Sequence, residues 1–122
     1  MKLKKDCIRD LLLYLEKNLD YGKEIHANSI TLKKYSKSDI LYTCERLLES
    51  MIINARTEKW ILSEQPIIII SSISAKGYEF LDSIRSPKIW QEIKTRLKGI
   101  ERLTIEIISQ IAAALILESS KK

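Results

Sequence analysis

The stretch that decides the fold is ISAKGYEFLDSIRSPKIW, residues 73–90. It follows four isoleucines at positions 67–70, where a buried strand gives way to helix. Ser74 is a favourable N-cap, and Gly77 in the first turn is best explained by close packing. Ser86 and Pro87 match the preferred residues for the N-cap and first position of a second helix. The side chains expected to bury the first of these helices are Tyr78, Leu81 and Ile84.

Upstream, apolar residues at helical spacing predict a first helix, with Ile8, Leu11, Leu12 and Leu15 on one face. A weak alternation around Ile25 predicts a short strand, with His26 pointing away from the core. The next helix begins at Ser36 or Ser38, and its predicted buried stripe comprises Ile40, Leu41, Cys44, Leu47, Leu48 and Met51. Two strands follow at about residues 52–62 and 67–72, separated by SEQP; Trp60 lies in the first. Four consecutive isoleucines in the second strand need cover on both faces.

Downstream, one helix carries Trp90, Ile93, Leu97 and Ile100, and a last helix runs from about residue 103 to 118. The last helix is apolar almost all round, which indicates burial on more than one side. We expect it either to lie in a groove or to pair with a second copy, and we favour a homodimer. The residues expected at that interface are Ile105, Ile108, Ala112, Leu115 and Ile116.

The predicted fold class is therefore α+β. A winged helix-turn-helix-like core (helix, short strand, helix, β-hairpin wing, helix) would occupy residues 1–86. Residues 87–122 would form a helical extension that packs on the core or mediates dimerisation, within a single domain overall.

The composition excludes several classes of protein. The 122 residues carry a net charge of +5 and two cysteines without C-x-x-C spacing, so we interpret Cys7 and Cys44 as reduced core residues of a cytoplasmic protein. His26 is the only histidine, and the sequence predicts neither a metal site nor a cofactor. We also expect no signal peptide and no membrane contact, since no apolar run approaches the roughly 20 residues of a membrane-spanning helix.

Two motifs resemble a known family. DILYTCERLLESMII, followed by a hairpin and then by ISAKGYEFLDSIRSPKIWQEIKTRLK, is similar to the family called domain of unknown function 2513. The positions that match in register are Gly77, Glu79, Phe80, Leu81, Asp82, Ile84, Arg85 and Trp90. The resemblance covers about residues 3 to 115 and implies a winged-helix-like fold in a phage or prophage setting. Where the family has a glycine this chain has Met51, and where it has a histidine this chain has Thr43.

The first functional hypothesis is binding of double-stranded DNA in a transcription-regulatory accessory role. The helix at residues 38–50 would enter the major groove, with Thr43 and Arg46 reading bases, and residues of the wing would contact phosphates. The candidate DNA-binding residues are Lys33, Lys34, Lys37, Thr43, Arg46, Arg56 and Lys59. Glu45 and Glu49 on the same helix oppose this reading because they repel phosphate.

The second hypothesis is a protein-interaction module that uses the same scaffold to bind a host or phage protein, and that needs no basic recognition face. Catalysis is not predicted. Glu79 and Asp82 are close enough on one helix to form a carboxylate pair, but Asp82 more simply pairs with Arg85 at the surface. The sequence has no nucleophile–base arrangement or phosphate-binding loop.

Overall fold

The computed structural model describes residues 1–59, 61–62 and 64–120. Across these residues the chain is α+β, with five α-helices and one three-stranded antiparallel sheet. In chain order the elements are α1 (Lys5–Asn18), β1 (Ile25–His26), a 3-10 helix (Ala27–Ser29), α2 (Lys37–Glu49), β2 (Ile53–Glu58), β3 (Ile67–Ile73), α3 (Ala75–Ile84), α4 (Pro87–Leu97) and α5 (Ile105–Ser120). None of the helices described is both long and apolar enough to cross a membrane.

The sheet has the order β1-β3-β2, so β3 is the central strand. Strand β2 pairs with β3 from Ile53 opposite Ile73 to Glu58 opposite Ile67, with an irregularity at Asn54 and Ala55. Strand β2 ends at Glu58 rather than near residue 62, and Trp60, placed in it by the sequence, lies outside the described residues. The expectation that β3 needs cover on both faces is confirmed, because consecutive side chains at positions 68–70 are all buried.

Helix α2 begins with a capping box and ends in a left-handed residue. Ser36 Oγ accepts a hydrogen bond from the Asp39 amide, and the Asp39 side chain accepts one from the Ser36 amide. At the other end Met51 has φ of 60°, and its amide donates to the carbonyl of Leu48. The amide of Ile52 donates to the carbonyl of Leu47. This pair of bonds is the Schellman arrangement, which is usually built around glycine. Met51 therefore adopts the left-handed backbone conformation that a glycine usually adopts at this position, and its side chain is 67% exposed rather than buried.

The start of α3 packs directly on the end of α2. Ser74 is the predicted N-cap, and its Oγ accepts from the Gly77 amide at 2.9 Å. The Ser74 amide donates to the carbonyl of Ile52 at 3.0 Å, and a Cβ on Gly77 would lie 2.0 Å from that same oxygen. The close-packing role predicted for Gly77 is thus confirmed. Tyr78, in contrast, is exposed, because α3 turns a different face inward: Gly77, Phe80, Leu81 and Ile84.

Helices α4 and α5 complete the core that α1, α2 and the sheet begin. Ser86 caps α4 and Pro87 occupies its first turn, as predicted. Trp90 is buried, and its indole Nε1 donates to Asp6 Oδ1 in α1 at 2.8 Å. The core cluster joins side chains on both sides of the expected boundary at residue 86.

The packing of α5 changes the interface proposed from the sequence. Ile105, Ile108, Ala112 and Leu115 are buried inside the subunit, where α5 packs on α3 and α4. A second chain cannot reach these four side chains without unpacking the helix. Ile116, at 49% exposed, is the member of the predicted set that reaches the surface. Although the chain has few elements that could wrap the last helix, α3 and α4 together cover one side of it.

Candidate nucleic-acid interface

Thr43, predicted to read DNA bases, lies in the core and not on a surface. Its side chain is 1% exposed, and its Oγ1 donates to the Asp39 carbonyl at 2.7 Å and lies 3.4 Å from Cys7 Sγ of α1. The hydroxyl is satisfied internally, since a threonine in a helix can bond the carbonyl four residues earlier. The assignment of Thr43 as a base-reading residue is therefore wrong. Helix α2 is rotated so that Thr43 joins Ile40, Cys44 and Leu47 on the buried face.

Arg46 is partly exposed but already occupied. Its Nη2 donates to Glu49 at 2.8 Å and lies 3.5 Å from Glu45, and its guanidinium sits 5.0 Å from the centre of the Tyr42 ring. Its Nε is buried and has no partner among the described residues. To bind a phosphate or a base, this guanidinium would have to leave two carboxylates that themselves repel DNA.

The lysines before α2 divide into two kinds. Lys37 Nζ donates to the carbonyls of Asn28 and Ile30, which holds the 3-10 segment against the start of α2. Lys33 and Lys34 are exposed, and neither has a hydrogen bond or ion pair within the described part of the chain. Lys33 and Lys34 are thus available to an anionic partner, whereas Lys37 has a structural contact to keep.

The two basic residues of the hairpin also differ. Arg56, on β2, forms ion pairs with Glu24 at 3.1 Å and with Glu58. Hydrogen bonds to these carboxylates, with Glu24 contributing most, raise the pKa of the Arg56 guanidinium further above its usual range. Lys59 follows the strand and is exposed. The candidates that stay accessible and unpaired within the described residues are therefore Lys33, Lys34 and Lys59, which lie in loops.

The outward side of α2 forms one wall of a groove of about 1070 Å³, which we call the α2 groove. Its walls are residues 1–3 and 5 before and at the start of α1, three residues of α2 with the residue that follows it, and residues 100–106, from the loop after α4 to the first turn of α5. The α2 wall consists of Tyr42, Arg46, Glu49 and the C-cap residue Ser50. Ser50 Oγ donates to Glu106 Oε1 at 2.8 Å across the groove, which lowers the pKa of the Glu106 carboxyl.

Sequence reasoning missed this groove. Its walls bring together segments as distant as Ser50 and Glu106, and no local pattern marks such a contact. The nearest signal was the basic excess toward the end of the chain, which includes Arg102 in the groove.

The described residues offer little else for chemistry. They contain no cluster of three or more His, Cys, Asp or Glu side chains that could hold a metal ion. Cys7 and Cys44 are both free and buried, and burial raises the pKa of both thiols, that of Cys44 to about 12. Such thiols are poor nucleophiles because the reactive thiolate is suppressed.

These features define a small α+β protein with a concave surface beside α2. A family model described as "Hypothetical protein (DUF2513)" matches residues 2–101, and the chain belongs to this family. The match ends before α5, whereas the resemblance seen in the motifs was expected to reach residue 115. Neither the curated proteins nor the solved structures contain a match to the chain.

Proposed function

We propose that the protein is a protein-interaction module on a winged-helix scaffold and that its partner, a host or phage protein, docks in the α2 groove. The order helix, short strand, helix, hairpin and helix supports the winged-helix scaffold. The phage or prophage setting comes from the family resemblance and is part of the proposal.

The observation that carries this proposal is the position of α2 in the wall of a groove. A recognition helix must stand clear of its own protein to enter a DNA major groove about 12 Å wide. Here Tyr42, Arg46 and Glu49 line a groove whose other walls are residues 1–3 and 5 and residues 100–106. A helix placed in this way is suited to receive part of a partner rather than to be inserted into one.

The segment before α2 supports the same choice. A helix-turn-helix reader has a full helix that crosses the DNA backbone ahead of the recognition helix. The corresponding segment here contains a three-residue 3-10 helix, Ala27–Ser29. The acidic pairs of Arg46 further weaken the case for α2 as a DNA reader.

The second candidate is DNA binding in a regulatory accessory role, favoured by the exposed lysines at 33, 34 and 59 and by the net charge of +5. Contacts of this kind are directed at phosphate and give salt-dependent binding with little sequence preference.

A fluorescence-anisotropy titration with mixed genomic duplex DNA at low salt separates the two candidates. The interaction module predicts no saturable binding by the full chain. Binding that weakens steeply with salt, and that the triple change Lys33→Ala, Lys34→Ala and Lys59→Ala removes, would overturn the proposal in favour of DNA.

Docking in the α2 groove is tested in cells of the native host with a photo-crosslinking amino acid at Tyr42. The matched control carries it at Gln91, which is exposed on α4 and outside the groove. We expect a discrete adduct with a second protein from position 42 and none from position 91. Equal labelling from both positions, or none from either, counts against the groove.

A further inference from the structure

The outer face of α5 is apolar, and the described residues of the subunit leave much of it exposed. Residues 107–117 carry no charged side chain. Ala113 and Ala114 are exposed, as are Ile116 (49%) and Leu117 (61%), while Ile107 and Ile111 are half-buried. The opposite side of the same helix is packed in the core. An exposed apolar face of this kind is typical of a surface that another molecule covers.

We infer that α5 pairs antiparallel with α5 of a second copy of the chain. The helical repeat places Gln110, Ala113, Ala114 and Leu117 along one stripe, which we call the α5 stripe. The two alanines lie near its centre, and small side chains at a crossing let two helix axes approach closely. A twofold axis at this point makes the stripe contact itself, which is the geometry of an isologous dimer.

The charges at the two ends of α5 favour a second copy in the antiparallel orientation. Glu106 lies at the N-terminal end of the stripe, and at the C-terminal end Arg96 of α4 contacts both carboxylate oxygens of Glu118, at 3.1 and 2.8 Å. In an antiparallel pair, Glu106 of one subunit approaches the partner subunit's Arg96, whose guanidinium has further N–H donors beyond the two that contact Glu118. In a parallel pair, Glu106 would face Glu106 of the partner subunit, and the two carboxylates would repel each other.

The size of the contact sets its strength. A 16-residue helix is about 24 Å long, and one pair of such helices covers less than the roughly 800 Å² per partner of a standard interface. The dimer is therefore weak, with a population that changes across the micromolar concentration range. Ala113, near the centre of the α5 stripe, lies outside the α2 groove, so a change there tests the dimer separately from partner binding in the groove.

Sedimentation velocity of the full chain, from low to several hundred micromolar, tests the inference. We expect the sedimentation coefficient of the wild type to rise with concentration. Ala113→Glu, on an exposed position of the stripe, should stay monomeric at concentrations where the wild type is dimeric. Gln91→Glu adds the same charge on the exposed side of α4 and should behave as the wild type. Thermal unfolding followed by circular dichroism checks that both variants fold.

Wild-type protein that stays monomeric over the whole range overturns the inference, and so does dimerisation that Ala113→Glu leaves unchanged. The variant Glu106→Gln tests the orientation, and glutamine can keep the hydrogen bond from Ser50. In the antiparallel pair it should weaken dimerisation several-fold and reduce the salt dependence. Stronger or unchanged dimerisation would overturn the contact with Arg96.

Discussion

Replacing Gly77 with alanine should destabilise the protein by about 1–4 kcal/mol, although alanine is the better helix former. The new Cβ would lie 2.0 Å from the Ile52 carbonyl oxygen and 2.8 Å from Ile73 Cγ2, so backbone must move. Overpacking of this kind costs about 1–3 kcal/mol. The same oxygen accepts a hydrogen bond from Ser74 N and shares the Ser74 hydroxyl proton with the Met51 carbonyl, each contact to Ile52 being 3.0 Å long, and together they contribute about 1–2 kcal/mol. The gain in helix propensity offsets only about 1 kcal/mol.

Urea unfolding monitored by circular dichroism measures this loss. With a slope of about 2 kcal/mol per molar urea, the midpoint should fall by about 0.5–2 M. Gly22→Ala is the matched control, because Gly22 has φ of 79° and open space around it, so its loss comes from backbone strain alone and should be about 1 kcal/mol. A Gly77→Ala variant as stable as the wild type, or no less stable than Gly22→Ala, would refute the packing argument.

Three further changes probe other parts of the fold. Met51→Gly should leave the free energy of unfolding unchanged or raise it by up to about 1 kcal/mol, measured by thermal unfolding. The reason is that relief of the left-handed backbone offsets the greater freedom of glycine in the unfolded chain. A clear loss of stability would show that the Met51 side chain contributes to the fold. Ser36→Ala should cost about 1 kcal/mol in urea unfolding by removing the capping box, whereas Ser38→Ala, exposed in the first turn, should cost much less; equal losses would contradict the cap assignment. Lowering the pH should also destabilise the protein, because Lys4 lowers the pKa of Asp39 below 3.8 and Arg85 lowers that of Glu16 below 4.5. A carboxyl group whose pKa is lower in the folded state stabilises that state at a pH above its unfolded pKa, and this stabilisation is lost as the group becomes protonated. The urea midpoint should therefore fall as the pH is lowered from about 5 to 3. A midpoint that rises over this interval would contradict the predicted direction.

Local signals in the sequence predicted the order of elements well. Residues 73–90 predicted the two helix starts, because Ser74, Ser86 and Pro87 act through contacts within one turn. The burial of β3 on both faces followed from the four isoleucines alone. Such features depend on nearest neighbours along the chain, so no tertiary information was needed.

The rotation of the helices was harder to predict. Thr43 and Tyr78 were placed on the wrong faces of α2 and α3, because each helix has more apolar positions than one face can hold. In α2 the buried face extends to a threonine whose hydroxyl finds acceptors inside the helix and on α1. A period of 3.6 residues restricts the choice of face, but the neighbouring elements decide it.

The candidate site depended even more on tertiary structure. The sequence showed which basic residues lie near α2 but not which acidic residues pair with them. Arg56 is paired with Glu24 and Glu58, and Arg46 is paired with Glu49. These ion pairs decide whether each positive charge is available to DNA. The Glu24–Arg56 pair spans 32 residues, a contact that composition and spacing do not report.

The junction at Ser50 and Ile52 has a consequence for the proposed docking of a partner in the α2 groove. Lys76 Nζ donates to the Ser50 carbonyl at 3.0 Å, Ser50 Oγ donates to Glu106, and the Ser74 amide donates to Ile52. The end of α2 and the starts of α3 and α5 are thus fastened to one another, and the amide of Ser74 should exchange with solvent only in openings that also release the base of the hairpin. The wall that α2 contributes to the groove is therefore held by contacts within the subunit. A partner that docks there, as proposed, would lose little affinity to ordering this wall.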